Sequence, residues 1–362
     1  MDEPEIFLIV RRFTVGGLER VVLLLANEMA ARGRRVRVVV LEPAGLSAMV
    51  TELHQGVWLH VLAGSRATRL AKLRRLTRGG IIHLHLAEGR VHPAVRWALR
   101  GNPAVFVTYH SDYSPVRSPW KNLLDRVITS RSRGVIAVSE AVRDFCVDQV
   151  RLPSHAVTVI ENAVPEPVIG RVRIERTDAL TLVALATVNP HKNYQGLIEG
   201  FAIARRRGHN VRLRIIGDGP ALADAFGTAQ RLSVSSDIDW YGALWQASVV
   251  DALLGTSDVF VSASLNEGLP MSVLEGLQHG LPMILSDIPP HREAAGEAAL
   301  YFACQAPEQF ADRVGELTEQ HSRRRRAGTA RSRASMFAPA TFVDRHLALY
   351  GACASNPGQE PS

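Results

Sequence analysis

Two glutamates, Glu267 and Glu275, stand with seven residues between them in the stretch SLNEGLPMSVLEGLQHGLP, residues 264–282. Carboxylates accept hydrogen bonds from hydroxyls, so a spaced pair can grip two parts of a hydroxyl-rich ligand. Between them the chain reads as the start of a helix. Pro270 suits a first turn, where its missing N–H has no intrahelical partner to lose. Gly280 closes the helix, and Pro282 follows shortly after. The amides of Met271, Ser272 and Val273 would then point out of the helix start, which favours an anion. Taken alone, the two acids fit better a solvent-facing acidic cap that complements the helix dipole.

Other stretches carry chemistry of their own. FTVGGLERVV puts Gly16 and Gly17 after the first apolar run and at the opening of a helix, where a ligand can approach the backbone closely. It is not the G-x-G-x-x-G of a dinucleotide site. IIGDGPAL offers Gly217 and Gly219 but no third glycine. TYHSD sets His110 and Asp112 at a strand end, in a structural or a catalytic place. TVNPHKNYQ puts Lys192 between a strand and a helix, as a capping cation or a phosphate partner. His83, His85 and His92 make a metal site an alternative, since alternate strand residues share a face. A buried strand gives the same pattern.

These residues must be held by regular elements. Short β-branched apolar runs recur at 6–10, 36–41, 57–62, 81–86, 104–110, 134–139 and 156–162, with helix-like segments between several of them. The clearest helix, GLERVVLLLANEMAARG, ends at Gly33. The stretch NAVPEPVIGRVRIERTD then breaks the pattern and reads as a linker. Strand-like runs resume at 180–186, 211–217, 238–242, 258–264, 282–287 and 298–302. Alternation of this kind predicts doubly wound α/β domains with buried parallel strands. We expect one Rossmann-like domain over 1–168 and a second over 169–337. A last helix at about 338–352 is expected to pack back onto the first, and the tail SNPGQEPS to lack order. Ligands of such sheets sit beyond the carboxyl ends of the strands, so a cleft between the two domains is the expected place for the chemistry.

The 362 residues suit two domains of ordinary size, and 46% hydrophobic with 21% charged residues is the balance of a soluble globular chain. The three cysteines, Cys146, Cys304 and Cys353, are far apart, which argues against a disulfide framework or zinc site and for the cytosol. No basic, extended apolar leader and no run of membrane-spanning length is present. The net charge is +7. Arginines cluster at 66–78 and at 323–333, as solvated faces or as surfaces for anionic lipid headgroups or substrates. No aromatic-interleaved basic motif points to nucleic acid.

The combination resembles the retaining GT-B glycosyltransferases of glycosyltransferase family 4, over nearly the whole chain. GGLERVVLLLANEMAARG resembles the family's N-terminal glycine loop and helix, and VTYHSD its histidine-bearing strand end. VIAVSEAVRDF and VIENAV resemble the segments leading to the hinge. NEGLPMSVLEGLQHGLPMILSDIPPHRE is similar to the E-x7-E signature, its Gly-x-Pro strand and a further glutamate, Glu293.

The resemblance implies two Rossmann-like domains facing each other across a cleft, and transfer of a hexose-type sugar from a nucleoside diphosphate sugar to an acceptor hydroxyl. It implies that Glu267 binds donor sugar hydroxyls and Glu275 the ribose. The amides of Leu269, Met271, Ser272 and Val273 would meet sugar and diphosphate, and Lys192 would neutralise the diphosphate. Gly16 and Gly17 would approach the donor, His110 would serve the donor sugar, and the base would rest near Gly242 and Leu244. No D-x-D motif is read ahead of a plausible sugar site, which predicts a metal-independent enzyme without cofactor. One departure stands out: Thr187 replaces the arginine usual five residues before the lysine. Arg11, Arg12 or His191 are the candidate substitutes. The expected partners are a nucleotide sugar and a saccharide or lipid-linked acceptor, in cell-surface polysaccharide or glycolipid synthesis at the inner face of the membrane. The alternatives are a secondary-metabolite acceptor, an epimerase, and a nucleotide-sugar-binding protein without activity.

Overall fold

The β-branched runs form strands, and among the described residues every strand pairing is parallel. The structure is a computed structural model that describes residues 3–44, 46–86, 93–111, 119–167 and 178–354. His92, Asp112, part of the linker stretch and the tail SNPGQEPS lie outside these residues. The chain divides into two compact units, residues 1–163 with 338–362 and residues 164–337.

The first unit begins β1 (Ile6–Val10), α1 (Gly17–Ala31), β2 (Val36–Val40), β3 (Val57–Val61), α2 (Arg66–Leu76), β4 (Ile81–Leu86) and α3 (Pro93–Ala98). It continues β5 (Val105–Tyr109), α4 (Pro119–Thr129), β6 (Gly134–Ala137), α5 (Glu140–Asp144) and β7 (Val157–Val159). Its sheet order is β3-β2-β1-β4-β5-β6-β7. All of β1 is buried, as a central parallel strand covered on both faces should be. Gly33 takes φ +77° just past α1, the left-handed turn that favours glycine.

The second unit runs β8 (Leu180–Leu185), α6 (Tyr194–Arg206), β9 (Val211–Ile216), α7 (Leu222–Arg231), β10 (Ile238–Gly242) and α8 (Ala247–Gly255). Then follow β11 (Val259–Ser262), α9 (Met271–Gln278), β12 (Met283–Ser286), α10 (Pro289–Ala295), β13 (Ala299–Phe302), α11 (Pro307–Thr318) and α12 (Gln320–Ala334). Its sheet order is β10-β9-β8-β11-β12-β13. Leu182, Phe201, Leu213, Ile215, Val261 and Phe310 lie in its core.

The helix α13 (Pro339–Ala354) belongs to the first unit. Tyr350 Oη meets His83 Nδ1 at 2.6 Å, Arg345 donates to Glu161 at 3.1 Å, and Arg32 pairs with Asp344. No helix among the described residues is long and apolar enough to cross a membrane.

Candidate active site

Both sheets contain a switch point, where successive strands begin to be added on the opposite side. In the second unit it lies between β8 and β11. The helices leave such neighbours in opposite directions, and a crevice opens beyond the carboxyl ends. The turn Pro190–Lys192 follows β8, and the loop from Ser264 to Pro270 follows β11. Leu265 N–H donates to the His191 carbonyl at 2.8 Å, so the two segments are tied together.

That tie sets Lys192 Nζ 2.5 Å from Glu267 Oε1. Both side chains are largely buried. Asn193 ends the turn in the left-handed region at φ 52°, which asparagine tolerates, and its Oδ1 caps α6 by accepting from Gly196 N–H at 3.2 Å. Burial would raise the Glu267 pKa. The Lys192 charge and hydrogen bonds from Lys192 and Ser264 outweigh it, so the carboxyl stays ionised below its usual range. His291 adds little charge, because its own burial keeps it neutral. An ammonium has three donors, and among the described residues Lys192 gives one, to Glu267. Two remain for an anion in the crevice.

The helix α9 differs from the expectation at its start. Pro270 is not in the first turn. It is the N-cap, extended at φ −72° and ψ 111°. Val273 N–H is consequently spent on the Pro270 carbonyl at 3.0 Å, so it is not a free donor. Met271 and Ser272 keep amides with no acceptor among the described residues. Glu275 is half-buried and lies one turn after Ser272 on the same side of the helix. Leu269 is buried just ahead of the helix. At the other end, Gly280 takes φ +66° and donates to the Leu277 carbonyl at 2.8 Å.

Gly276 lets α9 sit close on the sheet. A Cβ there would fall 2.9 Å from Met283 Cε and 3.0 Å from the Phe260 ring. Gly276→Ala should therefore lift the helix, cost about 1–3 kcal/mol of stability and shift Glu275. Denaturant unfolding with donor-affinity measurement checks both effects.

The glycines of IIGDGPAL serve the backbone. A Cβ on Gly217 would lie 1.8 Å from the Ala186 carbonyl oxygen, and one on Gly219 2.5 Å from that of Val188. The loops after β8 and β9 cross main chain to main chain, and Gly217 N–H reaches the Gly242 carbonyl at 2.8 Å. Gly242, at φ +66°, turns the chain toward half-buried Leu244. The proposed base region is thus contiguous with the loops beside Lys192.

In the first unit the switch point lies between β1 and β4. Gly16 is the extended N-cap of α1, and Gly17 is its first residue. A Cβ on Gly16 would sit 2.7 Å from Glu19 Oε2, so the glycine makes room for that carboxylate. Glu19 accepts from Thr14 Oγ1 at 2.9 Å, and burial raises its pKa. The reading of the sequence passed over Glu19. Its signal was an acid three residues after Gly16, in the first turn of the helix.

His110 follows β5 and hydrogen-bonds a second histidine: its Nε2 is 3.1 Å from His85 Nδ1. Burial, and then the nearby His346, push its pKa down to about 3, so it is a neutral hydrogen-bonding group. His83 and His85 share a face, their rings 3.9 Å apart. His83 spends Nδ1 on Tyr350 and Nε2 on Thr108, at 2.6 Å each, and so has no nitrogen for a metal. Among the described residues no group of three or more His, Cys, Asp or Glu side chains is placed to hold one.

Beside this switch point lies a cavity of about 240 Å³. Ile9, Leu41, Leu70, Leu84 and Val95 give it apolar walls, and Arg11, Arg66 and Arg69 bring positive charge. Glu42, also in its lining, accepts from Arg11 at 2.9 Å and from Arg12 at 3.0 Å.

Several expectations need correction. Asp237-Ile238-Asp239 does match D-x-D, but it opens β10 at the amino end. Its carboxylates are held by Arg205 at 3.2 Å and Arg212 at 2.7 Å. In the arginine cluster of α12, Arg323, Arg326 and Arg333 donate to backbone carbonyls of their own unit, which is a structural role. Thr187 is exposed. Of its three candidate substitutes, His191 is in the second unit beside Lys192, and burial, then the Lys192 charge, lower its pKa. It offers a neutral ring, not a second cation.

Residues 15–166 match the family model described as Glycosyltransferase Family 4, and residues 171–333 that described as Glycosyl transferases group 1. The chain is 28% identical over 300 residues to EpsD of Bacillus subtilis (strain 168), covering 75% of this chain and 76% of that one. It is 30% identical over 323 residues to the GDP-mannose:cellobiosyl-diphosphopolyprenol alpha-mannosyltransferase of Xanthomonas oryzae pv. oryzae, covering 80% of each. The crystal structure of Anabaena HepE in complex with UDP and glucose superposes with a TM-score of 0.81, at 17% identity, over 97% of this chain and 100% of that one.

Proposed function

The chain belongs to glycosyltransferase family 4 and has the GT-B fold, and from that premise we propose that it moves a hexose from UDP or GDP to a hydroxyl of a lipid-linked saccharide, with retention of configuration. The observation that carries the reading is the Lys192–Glu267 pair at the β8/β11 switch point, on the loops that follow β8 and lead into α9.

Each group has a task in that reaction. Glu267, kept ionised, accepts from sugar hydroxyls. Met271 and Ser272 amides and the spare donors of Lys192 hold the diphosphate. As the anomeric C–O bond breaks, charge grows on the departing oxygen, and these donors stabilise it more than they stabilise the bound donor. The acceptor oxygen forms the new bond, and its proton leaves with the diphosphate. Glu275 binds the ribose. The loop at Gly242 and Leu244 holds the base through main chain. No metal is assigned to these steps, and no cofactor.

The acceptor class follows from two supports. The relative from Xanthomonas oryzae is named for a diphosphopolyprenol acceptor. The cavity beside β1 combines apolar walls with arginines, a lining suited to an isoprenoid phosphate. A calorimetric screen of UDP-, GDP-, ADP- and dTDP-sugars tests the donor. Binding of one, followed by transfer to a polyprenyl-diphosphate saccharide with the same anomer by NMR, is the expected result. Binding of none would overturn the reading, and binding without transfer would leave a nucleotide-sugar-binding protein.

A further inference from the structure

The outer strand of the second sheet, β13, has arginines on its backbone carbonyls. Arg313 Nε donates to the Tyr301 carbonyl at 3.0 Å, and Arg326 Nη1 to those of Glu297 and Ala299 at 3.0 and 3.3 Å. An edge strand needs such partners, because no further strand supplies them. That role accounts for Arg313 and for one nitrogen of Arg326. It does not account for the rest of the positive charge gathered here.

Beside the strand lies a cavity of about 540 Å³, whose lining includes Arg292, Arg325, Arg326, Tyr301 and Glu297. Arg292 is neutralised by Asp287, which accepts from its Nε at 2.5 Å and its Nη2 at 2.7 Å, and its guanidinium stacks 4.5 Å over the Tyr301 ring. Arg313 pairs with Glu316. Arg325 is exposed, and among the described residues its side chain makes no ion pair or hydrogen bond. Arg326 Nε is buried and has no acceptor among the described residues. Burial, and then the neighbouring Arg325, lower the Arg326 pKa; Arg313 adds to this, and Glu316 and Glu297 oppose it. Two guanidiniums thus crowd each other with no acid paired to either.

That combination selects a ligand. A guanidinium presents its N–H groups in a fork that matches phosphate oxygens. The cavity has the size of a small-molecule site, and a bare phosphate would leave most of it empty. Glu297, exposed and without an ion pair among the described residues, would repel a bare anion but accepts from hydroxyls. Gly296, Glu297 and Ala299, where β13 begins, put the cavity toward the amino end of the sheet. The Lys192–Glu267 crevice lies beyond the carboxyl ends. We propose that this cavity is a second small-molecule site, which binds a phosphate monoester of a polyhydroxy compound, with the phosphate on Arg325 and Arg326 and the hydroxyls on Glu297. The inference does not rest on the transfer reaction, because binding is read without donor or acceptor.

The test is calorimetry of the full chain with glucose 6-phosphate and with inorganic phosphate at low ionic strength. The ester is expected to bind at least about fivefold tighter than inorganic phosphate, and both to weaken as salt is added. Arg325→Glu alters an exposed position, so it should keep its melting temperature and lose at least about tenfold in affinity for the ester. Glu297→Ala should tighten inorganic phosphate and erase the preference for the ester. Lys192→Met/Glu267→Gln, which removes the charges of the donor crevice, should bind the ester as the wild type does. No binding of the ester, or unchanged affinity in Arg325→Glu, would overturn the proposal. So would loss of binding in Lys192→Met/Glu267→Gln, since the phosphate would then sit in the donor crevice. Equal affinity of the wild type for the ester and for inorganic phosphate would overturn the polyhydroxy ligand.

Discussion

Lys192→Met is expected to lower turnover by about two to three orders of magnitude, roughly 3–4 kcal/mol at the transition state. Within the second unit, among the described residues, Thr187 and neutral His191 add no second full positive charge next to Lys192. The same change leaves Glu267 buried without its partner, which costs about 3 kcal/mol of stability. The two effects separate in a double variant. Lys192→Met/Glu267→Gln should recover most of the melting temperature, because a neutral amide needs no counter-charge, and it should remain inactive. The pH dependence gives an independent sign. In the wild type the Glu267 pKa is lowered, so its contribution is present above the usual glutamate range and is lost as pH falls through the lowered value. In Lys192→Met burial is opposed only by the Ser264 hydrogen bond and the weak influence of His291, and that pKa should rise. The variant should therefore gain stability on acidification where the wild type loses it. Melting temperatures between pH 4 and 7 for both proteins decide the matter; equal slopes would contradict the pairing.

The second large effect is acid sensitivity of the first unit. His83, His85, His110 and His346 are held neutral, in each case mainly by burial. The His346 pKa is lowered to about 4 and that of His110 to about 3. An unfolded chain takes up protons on these rings below about pH 6.5, and the folded chain does not. Stability is therefore complete above that pH and falls as pH falls toward the folded values. For fully buried His346 the loss by pH 5 is about 2 kcal/mol, and the other three act in the same direction. Denaturant unfolding of the first unit at pH 7.5, 6 and 5 should show the midpoint falling steeply. His346→Leu should flatten the slope by about one proton, and a slope unchanged in that variant would remove His346 from the explanation.

The strands were legible because a central parallel strand needs apolar residues on both faces, and Ile6–Val10 or Val36–Val40 can hardly be anything else. The spacing of Glu267 and Glu275 was legible for a similar reason, since both sit on one short strand–loop–helix segment. The ion pair of Glu267 was not. Lys192 is 75 residues away, and only the order β8-β11 in the sheet brings them together. The spent Val273 amide depends on whether Pro270 lies inside the helix or caps it, a one-residue difference no pattern resolves. The helix α4 is a harder case. Periodicity gives the stripe Trp120, Leu123, Leu124, Val127, which is exposed, but it cannot say which side of a helix faces the sheet.

The return of α13 to the first unit fixes an order of events during synthesis. Tyr350, the partner of His83 Nδ1, is translated 187 residues after Ala163, the last residue of that unit's first segment. At ribosomal speed this is roughly ten to forty seconds. For that interval His83 waits without its phenol, while the second unit, whose residues all precede Ala338, emerges complete. The half of the chain made first is the half finished last, and a stop codon anywhere before Tyr350 would leave it open.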